Sequence, residues 1–163
     1  MTAPVRLAAV LLCAAGLAAT AATAHAVDTR RMKDVLTGDD KVKAADNPRC
    51  KLFTPAEIKS YVGVAVGAGE NAAGGSGCFW SDRNGANALV QVVAARYASP
   101  PSAMKGYRKL PAVGPKAWVA PDMGWSAGTV EGDSAVMVGL SGPDASEAKV
   151  VAFLEETLRR RRR

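Results

Sequence analysis

The sequence predicts an α+β domain: an antiparallel sheet of about five strands, with an N-terminal and a C-terminal helix packed on one face. Three observations lead to this fold class. Two segments combine helix-start signals with apolar residues at helical spacing. The segments between them have strand composition, and short turns join several of them. Because both helices must bury an apolar stripe, one face of the sheet is the expected common surface.

The first helix is predicted to run from about Pro55 to Val62. Thr54 is a good N-cap, and Glu57 three residues later completes a capping box. Pro55 suits the first helical position, and Gly63 provides a C-terminal stop.

The strands are predicted from runs of apolar and β-branched residues between turn residues. Gly132 lies in the middle of a short turn, so the last two strands are expected to form a hairpin. The glycine-rich segment 63–77 is predicted to be a loop. The five predicted strands are "CFWSD" at 78–82, "ALVQVVAARY" at 88–97, "KAWVA" at 116–120, "GWSAGTV" at 124–130 and "SAVMVGL" at 134–140.

The last helix has the strongest pattern in the chain. Asp144 is predicted to cap it, with Glu147 completing a second capping box. Val151, Leu154 and Leu158 recur at helical spacing and form the apolar stripe. The folded domain is therefore predicted to cover residues 50–158.

Residues 1–26 are predicted to be a secretory signal peptide. Arg6 precedes a short apolar run, and the segment closes with Ala-His-Ala, so cleavage is expected after Ala26. The apolar run is shorter than the roughly 20 residues that a membrane-spanning helix needs. A lipoprotein acylated at Cys13 is the alternative, but Leu12 stands where such signals have a small residue. The protein is thus expected to be exported and to act in the periplasm or as a secreted protein.

Loss of this segment removes His25, the only histidine of the chain. A mature chain without histidine excludes Ser-His-Asp and Cys-His catalysis and zinc sites that use imidazole. We therefore expect no metal and no cofactor. Any catalysis would have to use carboxylates, lysine, tyrosine or serine.

Charge is concentrated at the C-terminus. The formal net charge is +6, and Arg6 accounts for one of these charges and the run 159–163 for the other five.

Residues 27–49, which carry six basic and five acidic residues, are predicted to be a charged flexible linker.

The arginine tail is either a solvated helix end or a binding element. Positive charge at a helix C-terminus suits the helix dipole. As a binding element, the tail would contact anionic lipid head groups or another anionic envelope component, with peripheral membrane contact. Nucleic acid is not an expected partner of an exported protein. The five residues are Arg159, Arg160, Arg161, Arg162 and Arg163.

Cys50 and Cys78 are expected to form a structural disulfide. Export places them in an oxidising compartment, where two cysteines usually pair. The bond would close the glycine-rich loop, and closing a loop of this size contributes roughly 3.5 kcal/mol in the chain-entropy estimate.

Three tryptophans are the remaining candidates for binding. Trp80, Trp118 and Trp125 fall on predicted strands or at their edges. They are either core residues or an exposed aromatic patch for a partner or glycan.

Four carboxylates near predicted strands could in principle act as an acid and base pair, as in glycoside hydrolysis. Two of them flank Gly132 and are explained as turn residues. The four are Asp82, Asp122, Glu131 and Asp133.

Several segments together resemble the small exported bacterial proteins and lipoproteins grouped as domains of unknown function. These segments are "CKLFTPAEIKSYVG", "CFW", "PAVGPKAWVAP" and "GTVEGDSAVMVGL", followed by an amphipathic helix, and they cover residues 50–158. The resemblance implies an exported α+β domain without an assigned enzyme activity, and it carries over no catalytic residues. The chain departs from the lipoprotein members at the lipid-attachment signal, because Leu12 precedes Cys13.

The sequence therefore predicts a non-enzymatic exported binding or accessory domain that recognises a protein partner or an anionic envelope component. One alternative is an inhibitor of an envelope or foreign enzyme. The other is a small hydrolase that uses carboxylates.

Overall fold

The computed structural model describes residues 43–163, which form one antiparallel sheet and two α-helices. The predicted α+β class is confirmed. The predicted signal peptide and most of the predicted linker lie outside the described residues. The helices are α1 (Pro55–Val62) and α2 (Glu147–Arg161), and the strands are β1 (Glu70–Ala72), β2 (Gly77–Ser81), β3 (Asn87–Ala94), β4 (Arg108–Lys109), β5 (Trp118–Pro121), β6 (Trp125–Glu131) and β7 (Ser134–Ser141).

The sheet has the strand order β1-β2-β3-β7-β6-β5-β4, and every neighbouring pair is antiparallel. β3 and β7 pair along their whole length at the centre of the sheet, with Val90 opposite Val138. The first three strands build one half of the sheet. After a long connection, the last four build the other half from the outer edge inwards.

The prediction of about five strands is wrong, because the sheet has seven. The two additional strands are β1 and β4, which lie at the two edges and are three and two residues long. Alternation of apolar and polar residues cannot be recognised over so few positions. β1 lies inside the glycine-rich segment predicted as a loop, and it is held there by backbone pairing with β2.

Helix α1 begins as the sequence predicts. The amide of Glu57 donates to the Thr54 hydroxyl (3.3 Å), and the Thr54 amide donates to the Glu57 carboxylate (2.7 Å), which completes the capping box. Gly63 ends the helix with a left-handed φ of 91°.

Helix α2 begins two residues later than predicted, and the expected Asp144 cap is wrong. Ser146 is the N-cap, and its hydroxyl accepts from the Lys149 amide (3.3 Å). Asp144 instead forms an ion pair with the Lys149 ammonium (3.1 Å). The helix then continues through Arg161, so three of the five tail arginines are helical.

The core lies between the two helices and one face of the sheet, which we call the inner face. Phe153 and Leu154 of α2 and Ile58 of α1 are fully buried there. They pack in one cluster with inward-facing valines such as Val136 and Val138 of β7.

Cys50 and Cys78 form the predicted disulfide, with their Cα atoms 5.1 Å apart. Cys78 is fully buried in β2, so the bond attaches the chain before α1 to the core.

Asn47 lies within the predicted linker but is 1% exposed, and its amide donates to Asn71 (2.8 Å) and to the Gly77 carbonyl (2.8 Å). These contacts hold the end of the predicted linker against β1 and β2.

Candidate functional site

The three candidate tryptophans do not form one patch. Trp80 points to the inner face, is 1% exposed and packs edge-on against Phe53, with ring centroids 6.4 Å apart. Trp125 is half-buried at the start of β6 and packs against the edge of the core. Trp118 lies on the opposite, outer face of the sheet, because it pairs with Gly128 rather than with an inward-facing position.

Trp118 is nevertheless buried, because part of the connection between β3 and β4 covers it. The Tyr107 ring stacks on the indole with centroids 6.3 Å apart. Beneath it, a Cβ at Gly128 would come within 2.9 Å of the indole ring, so the glycine makes room for Trp118. The outer face is therefore closed on the β5 side by residues of this connection.

The remaining part of the outer face forms an open groove, which we call the outer groove. Its volume is about 530 Å³, within the range typical of binding pockets. Residues of five strands line it, and residues of two loops form its rim. Two of the three candidate tryptophans, Trp118 and Trp125, border it. Its lining also includes Phe79, Leu89, Gln91, Ser126, Met137 and Gly139, with Ser99, Pro101, Asp122 and Met123 at the rim.

Gly139 lies in the interior of β7, where glycine is normally unfavourable. Its backbone φ is not left-handed. A Cβ at this position would meet only Leu89 Cβ and the Trp125 carbonyl, both 3.9 Å away. Neither backbone conformation nor internal packing therefore requires glycine here. A glycine of this kind often marks a place where a ligand or another backbone approaches the sheet closely.

Met123 is the most exposed large apolar side chain of the described residues, at 95%. It lies in the three-residue turn between β5 and β6, where the Asp122 amide donates to the Gly124 carbonyl (3.1 Å). Its φ of 46° is left-handed, which is unfavourable for a residue other than glycine, asparagine or aspartate. The turn thus presents a flexible thioether at the rim of the outer groove despite a conformational cost.

The carboxylates expected for a hydrolase do not come together in the outer groove. Asp122 is the one carboxylate that lines it within the described chain. Asp82 accepts the amides of Asn84 (2.9 Å) and Ala86 (2.7 Å) in the turn after β2. Glu131 pairs with Arg162.

Residues 43–163 contain no group of three or more histidine, cysteine, aspartate or glutamate side chains that could hold a metal ion. In the same range, no helix is long and apolar enough to cross a membrane.

Three of the five tail arginines are engaged in ion pairs. Arg159 and Arg160 both contact Glu156 of the preceding turn. Arg160 also donates to Glu57 (2.6 Å), so the end of α2 is tied to the start of α1.

These contacts lower the pKa values of both glutamates. The hydrogen bond from Arg160, followed by the one from the Thr54 amide, lowers the pKa of Glu57 to about 2. Hydrogen bonds from Arg159 and then Arg160 lower the pKa of Glu156 to about 2. Both carboxylates thus stay ionised, and the arginines beside them are largely neutralised.

Comparison of this chain with protein-family models, with curated proteins and with solved structures returns no match.

Proposed function

We propose that this protein is an exported, non-enzymatic binding domain of the periplasm or cell envelope, and that it holds an apolar segment of a protein partner in the outer groove. Gly139 carries the proposal. It leaves the backbone of a central strand uncovered between Leu89 and Ser126, although a side chain would fit there. An approaching peptide backbone or side chain would use this space.

The chemistry of the lining indicates the kind of segment. Phe79, Leu89 and Met137 offer apolar surface, and Gln91 offers amide donors and acceptors. Methionine adapts its shape to different apolar partners, which suits Met137 and the exposed Met123. Among the described residues that line the groove, Asp122 at the rim is the one charged group. An uncharged, apolar segment therefore fits the groove better than an anionic ligand does.

Two alternatives use the same surface differently. An inhibitor would hold a segment of an enzyme there, and only the identity of the partner separates it from an accessory domain. A hydrolase with two carboxylates would need a second acidic residue beside Asp122, and none of the described groove residues provides one. The resemblance to small exported proteins of unknown function agrees with the binding proposal but stays a prediction.

Filling the groove tests the proposal. The variant Gly139→Val places a side chain in the space beside Leu89 without a steric conflict at Cβ. Because a β-branched residue suits a strand interior better than glycine, its stability should equal that of the wild type or exceed it by up to about 1 kcal/mol. Its binding to the partner should fall by about tenfold or more. The matched control is Gly67→Ala, which adds a Cβ at an exposed glycine outside the groove.

The partner is found by photo-crosslinking in cells from Ser99 at the groove rim. Lys59, exposed on α1 and therefore on the opposite side of the sheet, is the control position. The proposal is supported by a partner that crosslinks from Ser99 but not from Lys59. The same crosslink should be lost in Gly139→Val and kept in Gly67→Ala. An equal yield in the two glycine variants would contradict it. An assay of any enzymatic partner with the purified protein then separates inhibitor from accessory domain.

A further inference from the structure

A second concave site lies on the helix side of the sheet, away from the outer groove. It is formed where the chain before α1 meets the end of α2, and its volume is about 320 Å³. Pro48, Arg49, Leu52, Arg160 and Arg161 line it. We call it the arginine pocket. Three of its five residues carry a guanidinium group, and none of them is acidic.

Arg160 forms a fixed wall of this pocket. Its guanidinium donates to Glu156 (2.5 Å), to Glu57 (2.6 Å) and to the Leu52 carbonyl, and it lies 4.4 Å from the centroid of the Phe53 ring. These contacts hold the end of α2 at a set distance from residues 49–52. The backbone segments on the two sides of the pocket are therefore held in place before any ligand arrives, which lowers the entropic cost of binding.

Arg49 and Arg161 supply the uncompensated charge. Within residues 43–163, neither guanidinium forms a hydrogen bond or an ion pair. The backbone of Arg49 is nevertheless anchored, because its amide donates to the side chain of the buried Asn47 (2.9 Å). Arg49 is half-buried, so its charge is less well solvated than that of a free surface arginine.

The balance of charge around the pocket is positive. Four arginines lie in or beside it, at 49, 159, 160 and 161, and two glutamates, at 57 and 156, oppose them. The cluster therefore carries a net charge of +2. A small hollow with two free guanidinium groups matches a compact phosphate group, because guanidinium can donate two parallel hydrogen bonds to phosphate oxygens.

We propose that the arginine pocket is a phosphate-binding site, with Arg49 and Arg161 as the residues that contact the phosphate oxygens. The group bound is a phosphate monoester or diester, or free phosphate. An anionic lipid head group and a soluble phosphate share this chemistry, and the experiment below separates them. The site is independent of the outer groove, since the two lie on opposite faces of the sheet.

In the first arm of the test, the purified protein is titrated with inorganic phosphate at low salt. Binding is measured by calorimetry and by changes in chemical shift. Arg49→Gln and Arg161→Gln should each weaken phosphate binding by about tenfold, since each removes a charge-assisted donor. Arg83→Gln is the matched control. It removes the same charge from an exposed turn outside the pocket, and it should leave binding unchanged.

Vesicles form the second arm, with phosphatidylglycerol as the anionic lipid and phosphatidylcholine as the neutral one. If the protein cosediments with the anionic vesicles and not with the neutral ones, the bound phosphate belongs to a lipid head group. This cosedimentation should be lost in Arg49→Gln and kept in Arg83→Gln. Phosphate binding without vesicle binding identifies a soluble phosphate. No binding in either arm overturns the proposal. Equal weakening in Arg49→Gln and Arg83→Gln also overturns it, because the effect would then be one of net charge.

Discussion

The backbone of Met123 is in the left-handed region, and its side chain is almost fully exposed to solvent. A left-handed backbone costs roughly 1–2 kcal/mol for an ordinary L-residue, whereas asparagine adopts it more readily. An exposed methionine adds no internal packing that would offset this cost. At the scale of a single residue, Met123 and Gly139 have two properties in common. Each stabilises the fold less than another amino acid at the same position would, and each borders the outer groove.

We predict that Met123→Asn stabilises the isolated domain by about 0.5–1 kcal/mol and weakens binding of the partner. Asparagine relieves the backbone strain but replaces the apolar side chain at the groove rim with a polar one. Met123→Leu is the control, because it keeps an apolar side chain and the same strain, and it should leave both quantities close to the wild type. Urea unfolding measures the first effect. A Met123→Asn variant that unfolds at lower urea than the wild type would contradict the prediction.

At the scale of elements, the start of α1 and the end of α2 act as one unit. Glu57 accepts hydrogen bonds from the Thr54 amide and hydroxyl within its own helix and from Arg160 of the other helix. The capping box could be predicted because its two residues are three apart. The contact with Arg160 could not, because 103 residues separate it from Glu57 and only the tertiary fold brings them together.

This unit gives the domain an acid-sensitive component of stability. The pKa of Glu57 is about 2 in the folded protein, below the ordinary value of 4.5, so the unfolded chain binds more protons between these values. The contribution of the carboxylate is therefore complete above about pH 4.5 and is lost as the pH falls towards 2. Glu156, whose pKa is also about 2, adds to the same dependence.

The variant Glu57→Gln should lower the free energy of unfolding at pH 7 by about 1 kcal/mol, because it weakens a helix cap and a partly buried ion pair. It should also flatten the loss of stability between pH 4.5 and 2. Glu155→Gln removes the same charge from the exposed side of α2 and is the control. Chemical denaturation at a series of pH values checks both effects. If the free energy of unfolding falls in parallel with pH for Glu57→Gln and the wild type, Glu57 is not a source of the acid sensitivity.

At the scale of the whole molecule, the Cys50–Cys78 bond joins the segment before α1 to a core strand. The bond closes a loop that contains α1, the glycine-rich segment and β1. Its loss should therefore loosen this part of the domain first. The centre of the sheet, where β3 and β7 pair over eight residues, should be affected less.

The double variant Cys50→Ala/Cys78→Ala is expected to lose roughly 2–4 kcal/mol of stability. Hydrogen exchange should show the largest loss of protection in β1 and the smallest in β7. Mass spectrometry of the wild type digested without reductant provides the control, since it must show the two cysteine peptides joined. Equal loss of protection in all strands would contradict the local effect of the bond.

The sequence predicts α1, the central strands and the disulfide because each depends on a local pattern or on two cysteines with few alternatives. It predicts the two functional candidates only in part: Trp118 and Trp125 border the outer groove, and Arg160 and Arg161 line the arginine pocket. The rest of each site is not predicted, and the reason is the same for both. The outer groove exists because the segment that carries Tyr107 covers Trp118 but leaves Gly139 open. The arginine pocket exists because Arg49, which falls in a segment of linker composition, meets the end of α2. Only the tertiary arrangement brings these residues together.

The two shortest strands lie at the two edges of the sheet, and this placement bears on how the protein behaves at high concentration. A long, flat edge strand has unpaired backbone groups that can recruit a strand of another molecule and begin aggregation. Here β1 offers three residues and β4 two, and both residues of β4 are basic. Arg108 of β4 is moreover paired with Glu147 of α2. Both margins of the sheet are therefore poor templates for fibrous growth, while the long strands that would be good templates are enclosed at its centre.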